Sequence, residues 1–177
     1  GHPGEDDVGN FVLQARGAEE LTTPYVCSGG VGNGSQLVAA LALGADGVNC
    51  GTLFCATHEA KWHDNQKKAL CDKDELSTTL VLRPLINTSR VFKNSVSTEV
   101  NKLEAEKGAE FSFGDVAHLM TGRRGRINVE RDGDVDDGIW SVGQSMGLIH
   151  KIESVQGVMD RFMGEAEAAI RKQLSQK

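Results

Sequence analysis

The chain has 177 residues, a formal net charge of −6 and 39 % apolar residues, the composition of a soluble globular protein and not of a disordered tail. The acidic balance excludes a nucleic-acid stripe, which needs clustered Lys and Arg: the one compact basic run, Gly122 to Arg126, runs on to Asp132, Asp134, Asp136 and Asp137 and reads as a solvated loop. The longest apolar stretch, Leu37 to Leu43, is too short to span a bilayer, and the polar, acidic start from Gly1 to Asn10 is neither a signal nor a transit peptide.

Tyr25 to Ser28 is a short β-prone run after Pro24, broken by Gly29-Gly30-Val31-Gly32-Asn33-Gly34. Ser35 is placed to cap a helix from Gln36 to Leu43, with Leu37, Val38, Ala40 and Leu41 filling one face and Gly44 ending it. Gly47 to Cys50 reads as a second strand, and Gly51-Thr52 leads into another helix. This β-loop-α-β-loop-α order implies parallel strands joined by a right-handed crossover. From about Glu59 to Gly143, longer polar segments with scattered apolar residues predict a second, mainly helical region. Within it Val96, Val100 and Leu103 have helical spacing, Asp115 to Met120 reads as one short helix, and Thr121 to Gly138 reads as loop. Val155, Val158, Met159, Phe162, Met163, Ala166 and Ile170 recur at steps of three and four, which predicts an amphipathic final helix capped by Ser154.

Cys27, Cys50, Cys55 and Cys71 show neither a C-x-x-C pair nor a framework spacing, so reduced thiols in a cytoplasmic protein are expected. No metal is expected either. His58 and His63 are five residues apart, about 140° around a helix, so one ion cannot readily take both. Asp132, Asp134 and Asp136 begin like a calcium loop, but Asp137 stands where its glycine belongs and Gly143 where its glutamate belongs.

The strongest local signal is the pair of glycine-rich turns, each after a strand and before a helix. Glycines remove the Cβ obstruction, and backbone N–H groups at such turns form an anion site, for which phosphate is the natural ligand. The bland alternative is two ordinary tight turns. A dinucleotide fingerprint fails, because Ser35 falls where the third glycine of G-x-G-x-x-G is needed, and no G-K-S/T follows to make a P-loop. His2, set between glycine and proline ahead of Gly4-Glu5-Asp6-Asp7, lies on a polar turn where an imidazole can exchange a proton near neutral pH.

Together these residues resemble the nitronate monooxygenase family. Gly1-His2-Pro3-Gly4 is similar to the end of the family's A-G-G-H-x-G motif, and Ser28-Gly29-Gly30 and Gly44 to Thr52 are similar to its two flavin-phosphate segments. The likeness continues through Asn87-Thr88-Ser89-Arg90-Val91 with Asn94, Gly138 to Gln144, and Gly147-Leu148-Ile149. His2 to Asp7, Arg123-Arg124-Gly125-Arg126 and Gly138-Ile139-Trp140 most resemble the members that act as NADH:quinone reductases. Leu53 departs from a frequent arginine, and Asn33 lies near a frequent aspartate.

The resemblance implies an α/β fold, the C-terminal part of a (β/α)₈ barrel with an added, mainly helical lid. Residues 1–60 would be barrel strands and helices, 61–143 the lid, and 144–177 the return segment and C-terminal helix. It implies FMN as cofactor, its phosphate on Gly29, Gly30, Gly51 and Thr52 with the Ser28 hydroxyl as an added donor, and Gly1, Asn49, Cys50 and Gln144 at the cofactor. His2 would be the catalytic residue. The substrate would be a nitronate oxidised with O₂ or a quinone reduced with NADH. A complete barrel of this kind needs roughly 250 residues, so the missing N-terminal half of the barrel is the expected partner, and the chain alone is expected to bind FMN weakly or not at all. A non-catalytic phosphate-ligand module is the alternative from a different class.

Overall fold

A computed structural model describes residues 4–175. Helix α1 (Asn10–Glu20) precedes strand β1 (Val26–Ser28), helix α2 (Gly34–Ala42), strand β2 (Gly47–Asn49) and a short helix α3 (Thr52–Cys55). β1 and β2 pair in parallel, with Val26 opposite Gly47 and Ser28 opposite Asn49, so the expected crossover unit is present. Then come α4 (Asp64–Asp72), the antiparallel pair β3 (Thr78–Val81) and β4 (Ser89–Phe92), and α5 (Ser95–Lys107). Two short helices, α6 (Phe113–Val116) and α7 (Gly122–Arg124), lead to a return segment and the long α8 (Val155–Leu174).

α8 is the helix its periodicity predicts, and its Ser154 cap accepts from the N–H of Gly157 at 3.0 Å. α2 begins two residues earlier than expected. Its cap is Asn33, whose Oδ1 accepts from Gln36 N at 3.0 Å, and not Ser35. Four further features differ from the sequence reading. The short helix expected from Asp115 to Met120 forms instead at Phe113–Val116, where Ser112 and Asp115 cap its start, and residues 117–120 are turn and bend. α1 was not anticipated, because Phe11, Val12 and Leu13 are consecutive and show no helical spacing. The mainly helical region holds the β3–β4 hairpin, whose strands are joined by a 3₁₀ turn at Arg83–Leu85 flanked by Leu82 and Ile86 at φ of 63° and 51°. That connection lacks the Asn-Gly or Asp-Gly signature of a tight hairpin. Finally, the expected loop from Thr121 to Gly138 is helical at first, α7 passing directly into a π-helical segment at Gly125–Arg131.

Two apolar cores result. The larger joins β1, α2, α3 and α4 to the return segment and α8, with Leu53, Leu70, Met146 and Val158 almost without solvent exposure. The smaller closes the hairpin under α5 and α6 through Val81, Val91, Val100 and Val116. The α2–α8 seam is the tightest packing: a Cβ on Gly34 would lie 2.1 Å from the carbonyl oxygen of Phe162, so only glycine permits this approach. The approach lets Phe162 reach the core, and burying a side chain of that size stabilises by about 1.5–3 kcal/mol. Among the described residues no helix is long and apolar enough to cross a membrane.

Candidate functional site

The parallel pairing brings the C-terminal ends of β1 and β2 side by side, so the two glycine-rich turns leave the sheet from one edge. Asn49 Nδ2 donates to Ser28 Oγ at 3.4 Å across that edge. Gly29 and Gly30 follow with φ of 91° and 78°, a backbone that side chains rarely adopt, and a Cβ at either position, or at Gly51, would meet nothing within 4 Å. The turns therefore present bare backbone to open space, the cradle that close approach of a phosphate requires. Side-chain amides hold its shape. Asn10 Nδ2 donates to Gly29 O and Gln36 Nε2 to Gly30 O, each at 2.9 Å, while Gln36 Oε1 accepts from Gly32 N at 2.7 Å.

The N-terminus of α2 is not part of this cradle. Gly34 N donates to Glu165 Oε2 at 2.9 Å, and Glu165 is itself paired with Arg161. A carboxylate from α8 already answers the positive end of the α2 dipole, so an anion would rest on the loop glycines and not on the helix tip.

A cavity of about 640 Å³, within the range of ligand sites, opens over the first turn. Of the expected residues, Ser28, Gly29, Gly30 and Gln144 line it, together with Asn10, Gln14, Gln36 and Arg90. Thr52 adjoins it through the return segment: its Oγ1 accepts from Gly143 N at 2.9 Å, which leaves the hydroxyl proton free to be donated. Cys50 differs from its neighbours. Its side chain packs against the larger core and does not line the cavity, and burial, reinforced by Cys27 nearby, pushes its thiol above the usual range. Gly1 and His2 lie outside the described residues.

Asn10, Gln36 and Arg90 escaped the sequence reading as site residues. Only Arg90 carried a signal, its place within the Asn87–Val91 segment. Conversely, two features that point to one substrate class serve the fold. Trp140 stacks on Phe92 with ring centroids 4.4 Å apart and donates Nε1–H to Val135 O at 3.0 Å, and Arg124 is paired with Asp137. His63 caps α4, its Nδ1 accepting from Asn65 N at 3.2 Å, and among the described residues no group of three His, Cys, Asp or Glu side chains is placed to hold a metal ion.

The family model for nitronate monooxygenase matches residues 1–165. The chain belongs to the nitronate monooxygenase family. It is 35 % identical over 77 residues to a probable nitronate monooxygenase of Bacillus subtilis (strain 168), covering 44 % of this chain and 22 % of that protein. It is 32 % identical over 91 residues to the nitronate monooxygenase of Paraburkholderia phytofirmans, covering 51 % of this chain and 25 % of that one. Among solved structures, FabK from Thermotoga maritima superposes over 100 % of this chain and 54 % of its own, with a TM-score of 0.89 at 26 % identity. A nitroalkane oxidase from Streptomyces ansochromogenes superposes over 95 % and 47 %, with a TM-score of 0.72 at 26 % identity. The matched segments thus span about a quarter of these curated relatives, and the chain spans about half of the solved structures. The fold is that of a partial α/β barrel.

Proposed function

We propose that this family member forms the phosphate-binding and lid-bearing portion of an FMN-dependent oxidoreductase that oxidises alkyl nitronates with O₂ or reduces quinones with NADH. The observation that carries this reading is the convergence of the bare turns at Gly29, Gly30 and Gly51 on one edge of the parallel pair, beside a cavity that also takes in Gln144. When bound, FMN supplies the redox chemistry, taking electrons from the donor and passing them to O₂ or quinone. The chain's own part is to hold and orient. Backbone N–H groups of Gly29, Gly30, Gly51 and Thr52 receive the phosphate, and the hydroxyls of Ser28 and Thr52 add donors. Asn49 fixes the Ser28 hydroxyl, and Gln144 closes the cavity from the return segment. His2 acts as base or hydrogen-bond partner toward a nitronate, or orients a quinone.

Residues 61–143 serve as the lid, and the remaining barrel strands are the partner that the open sheet edges require. The motifs His2 to Asp7 and Arg123 to Arg126 incline the reading toward the NADH:quinone reductase members. The four free thiols fit a reducing, cytoplasmic setting.

Anaerobic mixing separates the two chemistries. With the flavin-loaded protein, rapid bleaching by NADH marks the reductase, and bleaching by a nitronate alone marks the monooxygenase. His2→Ala should lower turnover with flavin retained, and unchanged turnover with both substrates removes His2 from catalysis. The chain purified by itself should bind FMN weakly or not at all, and a stoichiometric flavin spectrum overturns that expectation.

A further inference from the structure

Arg90 is the cation of the cavity that the functional reading leaves without a task. It sits on β4, opposite Leu80 in the antiparallel register. It lines two openings at once: the cavity over the glycine turns, and a shallower groove of about 770 Å³ between β3, the Arg83–Leu85 turn and α5. Its guanidinium is half-buried, and Nη1 donates to Thr78 Oγ1 at 2.9 Å. Among the described residues no carboxylate lies within ion-pair distance of it, a state shared only with the exposed Arg123 and Arg126, neither of which lines either opening, whereas Arg16, Arg83, Arg124, Arg131, Arg161 and Arg171 all have such a partner. Burial without a counter-charge holds its affinity for the proton below the ordinary arginine value. Glu104, in the same groove, does not serve it: that carboxylate accepts from the N–H of Leu82, and burial raises its pKa.

A half-buried guanidinium with one donor spent on a threonine keeps a planar fork of N–H groups for something else. That fork matches two oxygens of an oxyanion, and the match is strongest where water is partly excluded. We propose that Arg90 is an oxyanion-binding residue of this site, receiving an anionic group of the substrate that enters the cavity beside the cofactor phosphate held on the glycine turns. The inference rests on the functional reading above and narrows it. Two sources supply the same chemistry: the planar oxyanion of a nitronate, or the pyrophosphate of NADH. A neutral nitroalkane or quinone offers no charge for Arg90 to hold.

The test is NMR titration of the purified chain, following the Nε–H resonance of Arg90 assigned by its loss in Arg90→Gln. The probes are propyl-1-nitronate, inorganic pyrophosphate, and the neutral 1-nitropropane and benzoquinone. A saturable shift with nitronate or pyrophosphate, absent with both neutral probes, supports the proposal, and the responding anion names the source. Affinity should fall about tenfold or more in Arg90→Gln and less in Arg90→Lys, which keeps the charge but not the fork. Equal response to the neutral probes, no response to either anion, or undiminished anion binding by a folded Arg90→Gln overturns it. The cofactor reading is tested apart from this, by the bleaching experiment on the flavin-loaded protein described above, so its failure is seen separately from failure at Arg90.

Discussion

Around β3 and β4, Val81, Val100 and Val116 have no solvent exposure, while on α1 and β1 Phe11 is 73 % exposed and Val26 57 %, with Val12 and Leu13 beside them in solvent. The hairpin region keeps a core of its own, joined to the larger one through Phe92 of β4, although Ile86 in its connection stays exposed. The barrel portion is sealed where α8 packs on α2 and where the return segment packs on α3 and α4, and its other face carries the bare glycine turns and an apolar surface of the kind that marks an interaction site. Cohesion and chemistry are therefore separated: the α2–α8 seam and the hairpin core hold the chain together, and the candidate site lies on the face that contributes least to stability.

The sharpest way to break that separation is at the seam. Gly34→Val should cost more than about 3 kcal/mol, since the new side chain meets backbone atoms of α8 that cannot yield. Thermal unfolding by circular dichroism measures the loss, and hydrogen exchange should show the hairpin amides still protected if the two regions are independent. Val100→Ala should cost about 2 kcal/mol by opening a cavity in the hairpin core, read from the urea midpoint. Asn33→Ala removes the α2 cap and should cost about 1 kcal/mol in the same measurement.

Asp115 gives a smaller, pH-dependent effect on the hairpin side alone. Bonds from Lys107 and from the Ser112 backbone and hydroxyl hold its carboxyl down to about 2, against an ordinary 3.8. Because the folded value is the lower one, its contribution is fully present above pH 3.8 and is lost as pH falls toward 2. Asp115→Asn should flatten the dependence of stability on pH across that window. Phe11→Ser on the open face should change stability by less than about 0.5 kcal/mol while reducing self-association seen by light scattering, and a larger loss would show that face to be packed after all.

Much of this was legible in the residues. The β1–α2–β2 unit follows from glycines that interrupt short β-prone runs, and α8 from its regular apolar steps. The cap of α2 shifted from Ser35 to Asn33 because both types accept from helix N–H groups and the glycine run hides where the helix begins. The hairpin stayed hidden because its turn uses Leu82 and Ile86 in the left-handed region, where side chains of that shape are rare and no pattern announces them. Of the residues that line the cavity, Ser28, Gly29 and Gly30 stand out in the sequence as a glycine-rich turn after a strand, and Gln144 only through the family resemblance. Asn10 and Gln36 do not stand out, since an amide that braces a loop from another element leaves no spacing in the sequence.

The bond from Gly34 to Glu165 joins residues 131 positions apart. At ribosomal speeds those positions take on the order of 10 s to synthesise, so the helix behind the glycine turns waits, the N–H of Gly34 unanswered, until the middle of α8 has been made. The cradle is translated early and completed late, and a nascent chain halted before Glu165 would carry every glycine of the site without the carboxylate that sets the helix behind them.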